Sequence, residues 1–170
     1  MEKPAAKFFI ILFTISAVVW MYASSMKNYE AGRLLKFATI EFEENLDPVV
    51  ERAAYRAMAE YSVTILLSYP IVILSAIGYA VTSRRTIKEH GWLLMSALLL
   101  FMFIPIELYC YWLDWKIVGL NYWGDWPREE FRKALVARLT ALAGLPFIAQ
   151  LCYYTIPIII IFKPLQKLEA

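Results

Sequence analysis

Residues 92–112 read WLLMSALLLFMFIPIELYCYW, with a Trp at each end and Glu107 as the sole charge. At about 1.5 Å per residue, a helix over this stretch is about 30 Å long, the thickness of a bilayer's hydrocarbon core. A carboxyl inside such a span is costly, which makes Glu107 the natural start of any functional argument.

Three further apolar blocks supply this span with neighbours. Residues 8–24 hold FFIILFTISAVVWMYAS, 62–82 are apolar around Pro70, and 143–162 contain Pro146 and Pro157. The first block is long for a signal-peptide core and is followed by three others, so it reads as a span. Of the 170 residues, 61% are hydrophobic and 19% are charged. Soluble domains sit near 45–50% and about 25%. The expected fold is all-α: one integral membrane four-helix bundle with extracytoplasmic amphipathic helices from the outer segments 25–61 and 113–142.

In the first outer segment, Leu35, Ala38, Phe42 and Leu46 fall at helix-face spacing and predict a helix, although residues 40–43 also alternate like a strand. Asp47-Pro48 signals a helix start, Asp as N-cap and Pro as first helical residue, from which a helix runs unbroken into the second span. Asp125 and Pro127 give a similar signal before residues 128–142, where Phe131, Leu135, Leu139 and Leu142 form one stripe leading into the fourth block. Lys and Arg are denser in residues 1–7, 83–91 and 163–170, seven in 24 positions, than in residues 24–61 and 113–142, ten in 68. Density predicts cytoplasmic termini.

Three groups of residues stand out as candidates. Thr64, Ser68, Ser75, Gly78 and Thr82, with Ile71 among them, recur at spacings of three and four. Small and hydroxyl residues on one face predict a helix-packing seam with hydrogen bonds across the contact. Trp112, Trp115, Tyr122, Trp123 and Trp126 suit a membrane–water interface or a partner surface. Counting depth along the spans brings Ser68 and Gln150 to the level of Glu107, predicting a polar intramembrane cluster of the three.

Other chemistry finds little support. Two cysteines, Cys110 and Cys152, lie in apolar blocks at different depths, too far apart for a disulfide, and read as buried thiols. A single histidine, His90, gives neither a metal cluster nor a haem ligand pair, so no metal and no cofactor is expected. No phosphate-binding glycine loop and no nucleophile elbow occurs. The net charge of +2 carries no nucleic-acid footprint. The acidic pairs Glu43-Glu44 and Glu129-Glu130 read as solvated faces and a helix start.

No motif identifies a family. The function expected is non-enzymatic: an accessory subunit or interaction partner of a larger membrane complex, with membrane lipids and other integral subunits as neighbours. The alternative is a small transport or channel-like protein using Glu107. A third is a membrane enzyme acting on a lipid or quinone, which requires a pocket joining Glu107 to Asp114, Asp125 or Arg138.

Overall fold

The computed structural model describes residues 3–37, 39–83, 90–124 and 127–164. Among the described residues six α-helices follow one another: α1 (Pro4–Gly32), α2 (Pro48–Thr82), α3 (Gly91–Met102), α4 (Ile104–Tyr122), α5 (Arg128–Leu139) and α6 (Leu145–Phe162). Four helical segments are long and apolar enough to cross a membrane: α1, α2, α3 with α4, and α6 with the short turn before it. Large apolar side chains such as Ile15, Val18, Leu67, Leu74, Leu98 and Leu151 point outward. That arrangement is stable where lipid is the solvent, and the chain is a multi-pass membrane protein.

The helices outrun the bilayer. α1 has 29 residues and α2 has 35, about 43 and 52 Å against a hydrocarbon core of about 30 Å. Their excess lengths, the end of α4, and α5 form a headpiece beyond the membrane on the face opposite the termini. Each part has its own core. Trp20, Ile65, Tyr69, Val72, Leu100 and Tyr153 centre the bundle. Leu34, Tyr55, Met58, Ile117, Phe131 and Leu135 centre the headpiece.

Asp47 caps α2 through a hydrogen bond from the Val49 N–H at 2.8 Å, and Pro48 opens the helix as expected. α2 then runs unbroken through Pro70. A proline there removes the bond that the Leu66 carbonyl would accept. Tyr111 of α4 donates its hydroxyl to that carbonyl at 3.0 Å, so a neighbouring helix satisfies the group that proline frees.

Four expectations need correction. First, the described residues 33–37 and 39–47 form no helix. A loop holds the antiparallel bridge Leu35–Phe42, with Lys36 N–H to Glu41 O at 2.9 Å and Glu43 N–H to Leu34 O at 3.1 Å. This reversal buries Leu34 completely and packs Phe42 and Leu46 on the headpiece, which a helical stripe through Leu35 and Phe42 would not do. Ala38 lies outside the described residues.

Second, the span over 92–112 is broken. Phe103 separates α3 from α4, because Pro105 cannot supply the N–H that continues the helical ladder. Third, α5 stops at Leu139 and does not lead into the fourth span. Leu142, Ala143 and Gly144 all take left-handed backbone (φ 49, 54 and 85), which turns the chain and leaves Leu142 half exposed instead of on the stripe. Fourth, Pro146 sits in the first turn of α6, where its missing N–H is harmless, and the helix continues through Pro157 to Phe162. Pro127 precedes α5 as its N-cap, and Asp125 lies outside the described residues. So do residues 84–89 of the basic loop and 165–170 of the tail.

Candidate functional site

Where bundle and headpiece meet, four charged side chains converge. Lys27 lies on the buried stripe of α1 with Trp20, Ala23 and Ala31. Asp114 lies on the buried stripe of α4 with Cys110, Leu113, Ile117 and Val118. Lys27 Nζ donates to Asp114 Oδ2 at 2.6 Å, and Arg138 Nε, from the last turn of α5, donates to Oδ1 at 3.2 Å. One carboxylate thus serves two cations. Glu107, seven residues before Asp114 and so on the same face of α4, is near enough to feel Arg138, Lys27 and Asp114 through space.

Glu107 and Gln150 line one small cavity with Trp20, Lys27, Asn28 and Arg138. Its volume of about 20 Å³ suits a single water-sized guest. Gln150 is fixed by a polar network between α6 and α1. Asn28 Nδ2 donates to its Oε1 at 2.9 Å, and its Nε2 donates to Tyr154 OH at 3.1 Å and to Ser25 Oγ at 3.3 Å. Below, the Trp20 ring meets Tyr153 edge-on at 4.9 Å and tilts against Tyr69 at 5.2 Å. Among the described residues, Trp20 Nε1 has no hydrogen-bond partner despite its burial.

Ser68 does not line this cavity. Its hydroxyl donates to the Thr64 carbonyl at 2.7 Å on its own helix. Counting residues along a span gives depth but not the direction in which a side chain leaves the helix, and Ser68 shares only the depth. The other hydroxyls of the seam behave alike: Thr64 bonds to Glu60 O, Ser75 to Ile71 O and Thr82 to Gly78 O. Back-bonding to the preceding turn takes up each donor, and none reaches across the contact. The seam meets α1 at Gly78, where an added Cβ would stand 2.5 Å from the Phe9 ring.

A second charged site clamps the headpiece. Glu51, in the first turn of α2, is wholly buried. Arg128 Nε donates to Oε2 at 2.6 Å, Arg132 Nε to Oε1 at 2.7 Å, and Tyr55 OH to Oε1 at 3.1 Å. Burial pushes this carboxyl up, but the hydrogen bonds from Arg132, Arg128 and Tyr55 outweigh it, and its pKa lies below the usual 4.5. Arg132 also covers the Phe42 ring at 4.7 Å. Residues 128–132 are therefore bound to α2 by charge as well as by Phe131.

Along α4 an aromatic face stays open. Trp112 and Trp115 are half exposed, and Trp123 keeps 71% of its surface. The Trp115 and Trp123 rings sit 5.6 Å apart, and Lys116 Nζ lies 3.6 Å over Trp112. Tyr122 is exposed beside them, while Trp126 lies outside the described residues.

Cys110 and Cys152 are free thiols, the first buried and the second partly so. Among the described residues, no group of three His, Cys, Asp or Glu side chains is arranged to hold a metal ion. Comparison with known protein families, curated proteins and solved structures returns no match.

Sequence reasoning placed Glu107 and Gln150 but missed Lys27 and Glu51 as buried charges. It named Asp114 and Arg138 only as residues that a pocket at Glu107 would need, and that cavity does reach Arg138, with Asp114 bonded behind it. A signal for Lys27 existed. It continues the three-and-four spacing of Trp20 and Ala23 toward Ala31, a stripe otherwise apolar.

Proposed function

We propose that this protein is a non-enzymatic membrane subunit whose headpiece docks onto a larger membrane complex through the aromatic face of α4, with both termini in the cytoplasm. One observation carries the reading. Trp123 follows Gly91 by 32 residues of almost continuous helix. That length, about 48 Å, exceeds the hydrocarbon core by about 18 Å, which supports reading Trp123 as past the level at which an aromatic belt anchors a span. A wide, exposed, paired indole surface in water is typical of a protein contact. Phe37, 98% exposed at the tip of the loop after α1, extends the apolar surface of the headpiece. The ion pairs at Asp114 and Glu51 hold the surface that carries these rings in one arrangement.

Photocrosslinking in native membranes tests the proposal. A photoreactive residue at Trp123 should give one discrete protein adduct, and the same residue at lipid-facing Leu98 should give lipid adducts. Trp115→Ala should remove the Trp123 adduct without lowering the yield of folded protein. Lipid adducts alone at Trp123 would refute the docking role.

The cavity at Glu107 supports a second reading, a proton-linked or cation-linked transport role. It is lined by one carboxyl, two cations and two amides, the groups through which a carboxyl gains or loses a proton inside a membrane. In liposomes, Glu107→Gln should then abolish pH-dependent ion flux. Flux unchanged by that substitution excludes it.

A further inference from the structure

The half of the bundle nearest the termini is not closed. Beyond the boundary at Phe103, α3 packs against α6, while α1 and α2 stay together through Phe9 and Gly78. Between the two pairs lies a cavity of about 310 Å³ with walls from all four helices. Ala6, Ile10, Ala76, Ala97, Leu100 and Ile160 make it apolar. It runs from Ala6 to Phe13 along α1, about 10 Å at 1.5 Å per residue.

Its two charged groups gather at one end, with Tyr79. Lys7 opens α1, Tyr79 nears the end of α2, and Lys163 follows α6, so all three stand at the same mouth. Lys163 is held in left-handed backbone at φ 44, with its N–H bonded to Ile159 O at 2.9 Å. A side chain other than glycine takes that conformation at a cost.

An apolar cavity does not order water, and walls left bare forfeit dispersion contacts. Hydrocarbon satisfies those walls, and the bilayer supplies it at this depth. Two ammonium groups at the mouth then select the headgroup, since basic pockets between membrane helices attract anionic lipid. We propose that this cavity binds one acyl chain of an anionic glycerophospholipid, whose phosphate is held by Lys7 and Lys163. The occupant is a lipid of the leaflet at the terminal face, and the site is independent of the aromatic face of α4.

Native mass spectrometry of the delipidated full chain tests this with equimolar phosphatidylglycerol and phosphatidylcholine. One phosphatidylglycerol per chain should be retained, in preference to phosphatidylcholine by about tenfold. Lys7→Gln with Lys163→Gln should bring that preference close to one, and Ala97→Phe, which fills the cavity, should lose both lipids. If Ala97→Phe fails to fold by circular dichroism, Ala76→Phe blocks the same cavity from α2 and carries the same expectation. Equal retention of the two lipids by the unaltered chain overturns the proposal. So does phosphatidylglycerol retention that survives both the cavity-filling and the lysine substitutions, or its displacement by glycerol phosphate alone or by a neutral quinone.

Discussion

Lys27 Nζ stands 2.6 Å from Asp114 Oδ2, and the two side chains keep only 3% and 1% of their exposure. Neither charge is tolerable there alone. Each was brought out of water because α1 and α4 both pack on α2 and α5 packs on α4, and the pair, with Arg138, exists because the helices meet. Removing one partner from a buried pair costs about 3–5 kcal/mol, whereas apolar replacement of the whole group is often neutral. Asp114→Asn should therefore lower thermal stability in detergent severely. Replacing all four charges, with Lys27→Met, Asp114→Leu, Arg138→Met and Glu107→Gln, should lower it less. If the fourfold variant is the weaker of the two, the cluster stabilises the fold outright and this account of it is wrong.

Glu51 makes the headpiece sensitive to acid. Its pKa is depressed in the folded chain, with burial opposing and the hydrogen bonds from Arg132, Arg128 and Tyr55 prevailing. A depressed carboxyl contributes stability that is complete above its unfolded value of about 4.5 and fades as pH falls through its folded value. Amide exchange across α5 should rise as pH drops below about 4.5, after correction for the intrinsic pH dependence of exchange. Glu51→Gln should make α5 labile at neutral pH and flatten the acid response. An acid profile identical in the variant would assign the response to other carboxyls.

Tyr111 and Pro70 should behave as a pair. The Tyr111 hydroxyl occupies the Leu66 carbonyl that proline leaves free. Tyr111→Phe is expected to cost about 1 kcal/mol. In a Pro70→Ala background, where residue 70 supplies its own N–H, the same change should cost close to nothing. A double-mutant cycle of unfolding in detergent measures the coupling, and additive effects would mean that the carbonyl gains nothing from Tyr111.

Gly78 sets the approach of α1 to α2. A methyl group there would meet the Phe9 ring at 2.5 Å. Gly78→Leu should destabilise the bundle by about 1–3 kcal/mol through overpacking. Phe9→Ala should restore part of the loss by making room. Denaturation midpoints of the two single variants and the double variant decide it, and a double variant no better than Gly78→Leu would locate the damage elsewhere.

What could be read before any coordinates was set by solvent and by local chemistry. Four apolar blocks require lipid whatever their neighbours, so the all-helical membrane bundle was legible from residues 92–112 outward. The start of α2 was legible as well, since an Asp cap followed by Pro depends on one turn of chain. What escaped was decided by direction and distance between helices. The stripe through Leu35 and Phe42 fits a helix by spacing, but burying Leu34 needed a reversed chain against a core that Met58, Ile117 and Leu135 complete. Ser68 has the depth of Glu107 without its bearing. Lys27 and Asp114 are 87 residues apart, and no local pattern tells a solvated lysine from one that tertiary packing has dried and paired. Composition chose the solvent for each segment, because burial in lipid is a property of the segment itself. Only the tertiary structure chose the partner for each charge, because a partner is a matter of position in space.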